Sequence, residues 1–299
     1  MSAAPIFHIG LHKTGSTFLQ AHFWGNSGYF IFDRHRIISK KILRPYFGDF
    51  NADDIRHEII NKFGDAFICS SEDLCGNPLA TAGGFVSDGI LCRIHELFPE
   101  AKIVVFLREQ TDYLQSLYVQ HVKYGGTASL EKMLYPHQLQ AILNPRFSPE
   151  YLQYDRFLDR IAQLFGRENL YAYSYHELKR GEALLRQLDS DLGLGISQFP
   201  GAEKSENVKM HKYTLFCSRF LNHFTDKIHP SKQCWVNLPY GYEVVRKLSS
   251  VIDQLPFNPK VVAGDFWKPQ TISSISKYYK QSNLRLRERY NIEFEKVDI

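Results

Sequence analysis

Long apolar runs, paired cysteines and metal-ligand motifs are what this 299-residue sequence lacks. No hydrophobic stretch approaches the roughly 20 residues that a membrane-spanning helix needs. The five cysteines (Cys69, Cys75, Cys92, Cys217 and Cys234) are odd in number and never in C-x-x-C spacing. They are therefore expected to be reduced and mostly buried, neither a disulfide frame nor a zinc site. The histidines are scattered without an H-E-x-x-H motif, and no metal site is expected. Charge of one sign is also missing: 36 basic against 32 acidic side chains leave a net +4. That balance suits an anionic ligand but falls short of a nucleic-acid footprint, so no nucleic-acid partner is expected. There are no internal repeats, no low-complexity tracts and no stretch that reads as an interdomain linker. The opening residues MSAAPIFHIG enter a core strand at once and leave no room for a secretory leader. The expectation is a cytoplasmic, unprocessed protein without a transmembrane segment; nothing in the sequence fixes its oligomeric state.

What is present is an alternation of strand-like and helix-like patterns, which predicts an α/β fold with a parallel sheet and crossover helices. IFHIG (6–10), AFICSS (66–71), KIVVFLR (102–108) and NLYAYSY (169–175) read as buried strands. ADDIRHEIINKF is amphipathic with helical period. Ser148 and Pro149 predict a helix start; apolar residues from Tyr151 to Phe165 keep helical spacing, and Gly166 closes the helix. Beyond about residue 195 the pattern changes to a loop (196–208) and helical runs near 209–223, 242–254 and 271–289. The economical reading is a single domain over 1–299, with a core at 5–195 and a helical C-terminal portion at 196–299.

The chemistry gathers in IFHIGLHKTGSTFLQ, a strand, a glycine turn and a helix start. Gly10 and Gly15 keep the spacing of a phosphate-binding loop, in which lysine directly follows the second glycine. Here Ser16 stands in that place and Lys13 lies inside the loop. The glycines let successive N–H groups turn inward, Lys13 supplies a point charge, and Thr14, Ser16 and Thr17 offer hydroxyl donors. A P-loop NTPase also needs a carboxylate ending a neighbouring strand for Mg²⁺. IVVFLR ends instead in Arg108, which suits a second anionic group better than a metal.

HKTGSTFLQ resembles the 5′-phosphosulfate loop of sulfotransferases that use 3′-phosphoadenosine 5′-phosphosulfate (PAPS). VVFLREQTDYLQSLYVQ resembles their second motif, a strand ending in arginine with a serine eight positions on. SLYVQHVKYGG is similar to bacterial glycan-type members, YLQYDRFLDRIAQLFGRENLYAYSYHEL to the helix–strand unit that follows, and YYKQSNLRLRERY to the closing helix. Residues 6–195 carry the resemblance well and the remainder loosely. Glu109-Gln110 departs from the acidic residue and proline the family often has, which touches turn geometry more than chemistry.

The resemblance implies a P-loop-like fold, PAPS as co-substrate, no metal, and a hydroxyl acceptor on a carbohydrate. It implies that Arg108 and Ser116 hold the 3′-phosphate. The backbone of residues 14–17, Gly15 included, with Thr14, Ser16 and Thr17, would hold the 5′-phosphate, and Lys13 would stabilise the bridging oxygen. For the base, Glu72 just past the second strand is the first candidate, favoured by the glutamate bases of glycan- and tyrosine-acting members; a helix-start or solvated carboxylate is the plainer alternative. His12 is the rival base, with loop orientation as its plainer role, and Asp73 a poorer candidate. His8 reads as a core histidine and His121 as a surface residue that could alternatively line an acceptor cleft. Tyr118, Tyr124, Trp24 and Trp235 could stack on sugars, against the safer reading of core packing, and Lys204, Lys209 and Lys212 could cover the 3′-phosphate. Two other readings stay open: a P-loop kinase or NTPase with Glu72 or Asp73 on Mg²⁺, and a non-catalytic nucleotide- or glycan-binding protein.

Overall fold

The computed structural model describes residues 4–27, 31–32, 36–46, 48–79, 84, 86–134, 147–178, 181–199, 211–225, 234–261 and 265–294. Five parallel strands form its sheet: β1 (Ile6–His8), β2 (Ile31–Phe32), β3 (Phe67–Ser70), β4 (Lys102–Leu107) and β5 (Leu170–Ser174), in the order β2-β3-β1-β4-β5. The four expected strands are these, shorter by a residue or two at their ends. The edge strand β2 is an addition that two residues of pairing with β3 define.

Period-2 alternation assigns the strand side chains to two cores. Phe7, Cys69, Ile103, Val105 and Leu107 enter one, and Ile6, Ile68, Val104 and Phe106 the other. Both faces are covered, which is why the strands read as unbroken apolar runs. The first face is covered by α2 (Ile37–Leu43), α3 (Ala52–Phe63), α4 (Ser87–Leu97), α5 (Gln110–Lys123), α6 (Leu130–Leu134) and α7 (Tyr154–Phe165). The second takes Leu19 of α1 (Ser16–His22) and the leucines of α9 (Glu182–Leu192). Local signals set the helix ends. The Asn51 side chain accepts the Asp54 N–H at the start of α3, Lys62 lies in its last turn, and Gly64 ends it.

The helix expected from Ser148 onward is divided. Pro149–Leu152 is a 3₁₀ turn, Gln153 leaves helical geometry, and α7 begins at Tyr154 before ending at Gly166 as the sequence suggested. Packing overrides the helical period here. The Tyr151 hydroxyl lies 3.0 Å from Cys75 Sγ and donates to the Gly76 carbonyl at 3.1 Å, while Tyr154 donates to the Arg108 carbonyl at 2.8 Å. Both rings are thereby brought to the carboxyl ends of the strands.

After β5 come the single turn α8 (Tyr175–Leu178) and, beyond α9, the helical portion: α10 (Lys212–Leu221), α11 (Gly241–Asp253) and α12 (Pro269–Tyr290). α12 returns to the core. Ile275, Tyr279 and Leu286 join the first cluster, and buried Asp155 of α7 accepts from Ser282 and pairs with Arg285 at 2.5 Å. Gln110 and Asn283 exchange amide hydrogen bonds at 2.7 and 3.1 Å. No helix among the described residues is long and apolar enough to cross a membrane.

Candidate functional site

The strand order reverses direction around β1, with β3 on one side and β4 on the other, so their carboxyl ends open a crevice where ligands of open α/β sheets bind. The chain keeps pairing with β4 beyond His8: Ile9 N–H donates to Val104, Phe106 N–H to Gly10 and Leu11 N–H to Phe106. It then curls. Gly10, Lys13 and Gly15 have φ of 109°, 63° and 87°, three left-handed residues in six positions. Gly15 also has no room for a side chain, because a Cβ would stand 2.7 Å from Leu178 Cδ2 of α8. Thr14 is buried and its hydroxyl donates to the Leu11 carbonyl, so this side chain, expected as a phosphate donor, shapes the loop from within. Thr17 is exposed on α1.

Arg108 reaches back into this loop. Its Nη1 donates to the Lys13 carbonyl at 2.7 Å, while Nε and Nη2 grip both oxygens of Asp112 at 2.7 and 2.9 Å. The guanidinium carbon sits 4.9 Å from the Tyr175 ring centroid. A planar fork held this way is oriented as well as charged. Five N–H bonds less three leave two for an anion. Lys13 is half-buried, and its ammonium gives up a proton more readily than usual. Burial is the main cause, the charges of Lys123 and Arg108 add to it, and Glu72 opposes them.

β3 delivers the carboxylates. The turn Glu72–Cys75 packs so closely on the loop that a Cβ on Gly10 would lie 3.2 Å from Glu72 Cα and from Cys75 Sγ. Ser16 donates to Glu72 Oε2 at 2.6 Å. His12 is enclosed beside it, with Nε2 at 3.3 Å from Asp73 Oδ1 and Nδ1 at 3.8 Å from Cys75 Sγ. Burial alone would lower the His12 pKa. The hydrogen bonds to Asp73 and Cys75 and the nearby negative charge outweigh it and raise the value to about 10. Both ring nitrogens of His12 thus have partners in the Glu72–Cys75 turn. Asp73 is also approached by Arg36 at 3.4 Å.

The structure therefore brings together Lys13, Thr14, Gly15, Ser16, His12, Glu72 and Arg108. Ser116 stands half-buried on α5, two turns beyond Arg108. His8 lies in the core, bonded to Ser70 Oγ at 2.7 Å, with its pKa lowered to about 3 by burial. Trp24 and Tyr118 are buried, so neither is a sugar platform, and His121, expected at the surface, is buried as well. Tyr124 and Trp235 are exposed, the latter stacked on His223 at 4.3 Å. Lys204 and Lys209 lie outside the described residues, and Lys212 is paired with Asp265 at 2.5 Å. Sequence reading did not single out Asp112, Tyr175, Cys75, Tyr151 or Lys123. Asp112 was accessible as the i+4 partner of Arg108, and Tyr175 as the residue ending a strand. The others meet the loop only through tertiary packing.

Neither a family model nor a curated protein matches the sequence. Among solved structures, the fold is similar to that of a sulfotransferase from Alicyclobacillus acidocaldarius, with a TM-score of 0.58 over 98% of each chain at 12% identity. At that identity the likeness establishes the α/β fold with its helical C-terminal portion.

Proposed function

We propose that this chain is a sulfotransferase that moves the sulfuryl group of PAPS to a hydroxyl of a carbohydrate. The observation that carries the reading is Arg108: the β4 end beside the loop holds a clamped guanidinium where a Mg²⁺-dependent NTPase would hold a carboxylate. The solved structure similar in fold is itself titled a sulfotransferase, which agrees with it. The carbohydrate acceptor rests on the resemblance of SLYVQHVKYGG to glycan-type members.

The residues fit such a donor. The left-handed glycines shape a concave backbone, and Arg108 keeps two N–H bonds for the 3′-phosphate, with Ser116 on the following helix as its partner in that role. The donor supplies an activated sulfuryl group on a phosphate leaving group. Lys13 holds positive charge where negative charge gathers on that phosphate. The loop N–H groups, that of Ser16 among them, bind the 5′-phosphate. Glu72, oriented by Ser16, takes the proton from the attacking hydroxyl. His12 keeps the loop and the Glu72–Cys75 turn together.

Thermal shift with 3′-phosphoadenosine 5′-phosphate tests the donor. At a hundredfold excess over its dissociation constant it should stabilise the protein by about 2.7 kcal/mol, and ATP with Mg²⁺ by much less. The reverse ranking favours the kinase or NTPase reading. Binding without transfer from labelled PAPS to a glycan panel favours a non-catalytic binding protein.

A further inference from the structure

Directly before α2, Arg36 has φ 54° and ψ 35°, a left-handed conformation that arginine rarely adopts. Its Nη1 donates to Asp73 Oδ2 at 3.4 Å, the one hydrogen bond of this guanidinium among the described residues, and the side chain is 44% exposed. A half-exposed pair of that length adds little to stability. Backbone strain of this kind gathers where function needs a side chain held in one place. That place is the flank of the loop opposite Arg108. α2 packs on β3 and on the Glu72–Cys75 turn, so Arg36 lies on the β3 side of β1 and Arg108 on the β4 side.

A carboxylate anchors each of these guanidinium groups, Asp112 for Arg108 and Asp73 for Arg36. The His12 hydrogen bond, opposed by burial and helped by the charges of His12 and Arg36, holds the Asp73 carboxyl below the usual range, so the anchor stays ionised. The two forks differ in what they leave free. Arg108 is 11% exposed and uses three of its five N–H bonds. Arg36 uses one among the described residues and faces solvent, which suits an anion carried on a larger ligand. In the proposed reaction the donor's own anions occupy Arg108, Ser116, Lys13 and the loop, while the acceptor hydroxyl meets Glu72. Arg36 is bonded to the residue next to Glu72 and therefore stands on the acceptor's side. A planar fork with free N–H bonds matches the paired oxygens of a carboxylate or a sulfate ester, and a neutral sugar offers it no bond of that strength.

We propose that Arg36 reads a negative charge on the acceptor, a carboxylate or sulfate ester close to the hydroxyl that is sulfated. The proposal rests on the sulfotransferase reading. Three probes of one backbone test it: an oligosaccharide alternating glucuronic acid with N-acetylglucosamine, the same oligosaccharide with its carboxyls reduced to alcohols, and the reduced form carrying chemically added sulfate esters. The full chain loaded with 3′-phosphoadenosine 5′-phosphate should bind a charged probe about ten- to a hundredfold more tightly than the reduced one. Preference for the first probe assigns a carboxylate, and preference for the third a sulfate ester. Arg36→Gln should abolish the preference while the thermal shift with the nucleotide stays as in wild type, which also reports an intact fold. Arg36→Lys, a point charge without the fork, should keep part of it. Equal binding of all three probes, binding of none while the nucleotide binds, or a preference that persists in Arg36→Gln overturns the proposal. A wild type that does not bind the nucleotide overturns the sulfotransferase reading, and the proposal with it.

Discussion

Lys13, withdrawn from water beside two other cations, holds its proton less firmly than a surface lysine. If its charge supports the leaving phosphate, transfer must fall on the alkaline side at a pH below the usual lysine value of about 10.4. Lys13→Ala should lower kcat about 10²–10³-fold. Lys13→Arg, charged throughout, should move the alkaline limb upward even where its activity is reduced; an unmoved limb sinks the assignment. Glu72→Gln keeps an acceptor for Ser16 but loses the proton-accepting form. It should reduce kcat about 10²–10⁴-fold with little change in binding of the donor product, and near-normal turnover dismisses Glu72 as base. His12 in the loop and His8 in β1 act in opposite senses on stability. His12, raised to about 10, stabilises the fold fully below pH 6.5, and this is lost as pH rises from 6.5 through about 10. His8, lowered to about 3, contributes nothing above 6.5 and destabilises progressively as pH falls from 6.5 toward 3. His12→Gln should therefore flatten the alkaline side of a Tm–pH profile and leave the acid side in place; an unchanged alkaline slope contradicts the His12–Asp73 pairing. His8 was legible as a core residue from its place in a strand. The proton on His12 was not, because it depends on Asp73 and Cys75 about sixty residues away.

At the scale of elements, the central strands were legible because sheets covered on both faces are written as continuous apolar runs. β2 was not, since two residues carry no period. The division at Gln153 was hidden because the residues on both sides of it fit one helical stripe, and only the reach of Tyr151 and Tyr154 toward the strand ends separates them. The loop was legible from its glycines, yet what holds it came from elsewhere: α8 presses on Gly15 and the Glu72–Cys75 turn presses on Gly10. Two costs follow for Gly15→Ala, a left-handed φ of 87° and a Cβ driven against Leu178 at 2.7 Å. Together they should destabilise the protein by about 1–3 kcal/mol in denaturant titration. Adding Leu178→Ala should recover part of that loss, the steric share, while the backbone share remains. Absence of any coupling between the two substitutions contradicts the contact.

For the whole molecule, the helical portion was read correctly in position and incompletely in role. Its runs at 212–221, 241–253 and 269–290 have helical period, but period does not say which stripe meets the core. Ile275 and Phe216 look alike in sequence; one is buried and the other is exposed on α10. The tie that bears on whether this portion is a separate body is Asp155. It is buried in α7, accepts from Ser282 and pairs with Arg285 of α12, whose apolar residues share a cluster with Ile103 and Leu107 of the sheet. A hydrogen bond to a charged group contributes about 1.5–3 kcal/mol, and Arg285 remains partly in water, so Asp155→Asn should cost about 2 kcal/mol. If sheet and closing helix unfold as one unit, that loss lowers the denaturant midpoint of the entire transition at constant slope, since the slope follows the surface exposed on unfolding. Fluorescence and far-ultraviolet circular dichroism should then report the same midpoint in wild type and variant. A second transition in the variant, with α12 melting ahead of the sheet, marks the helical portion as an independent unit and removes the single-domain reading.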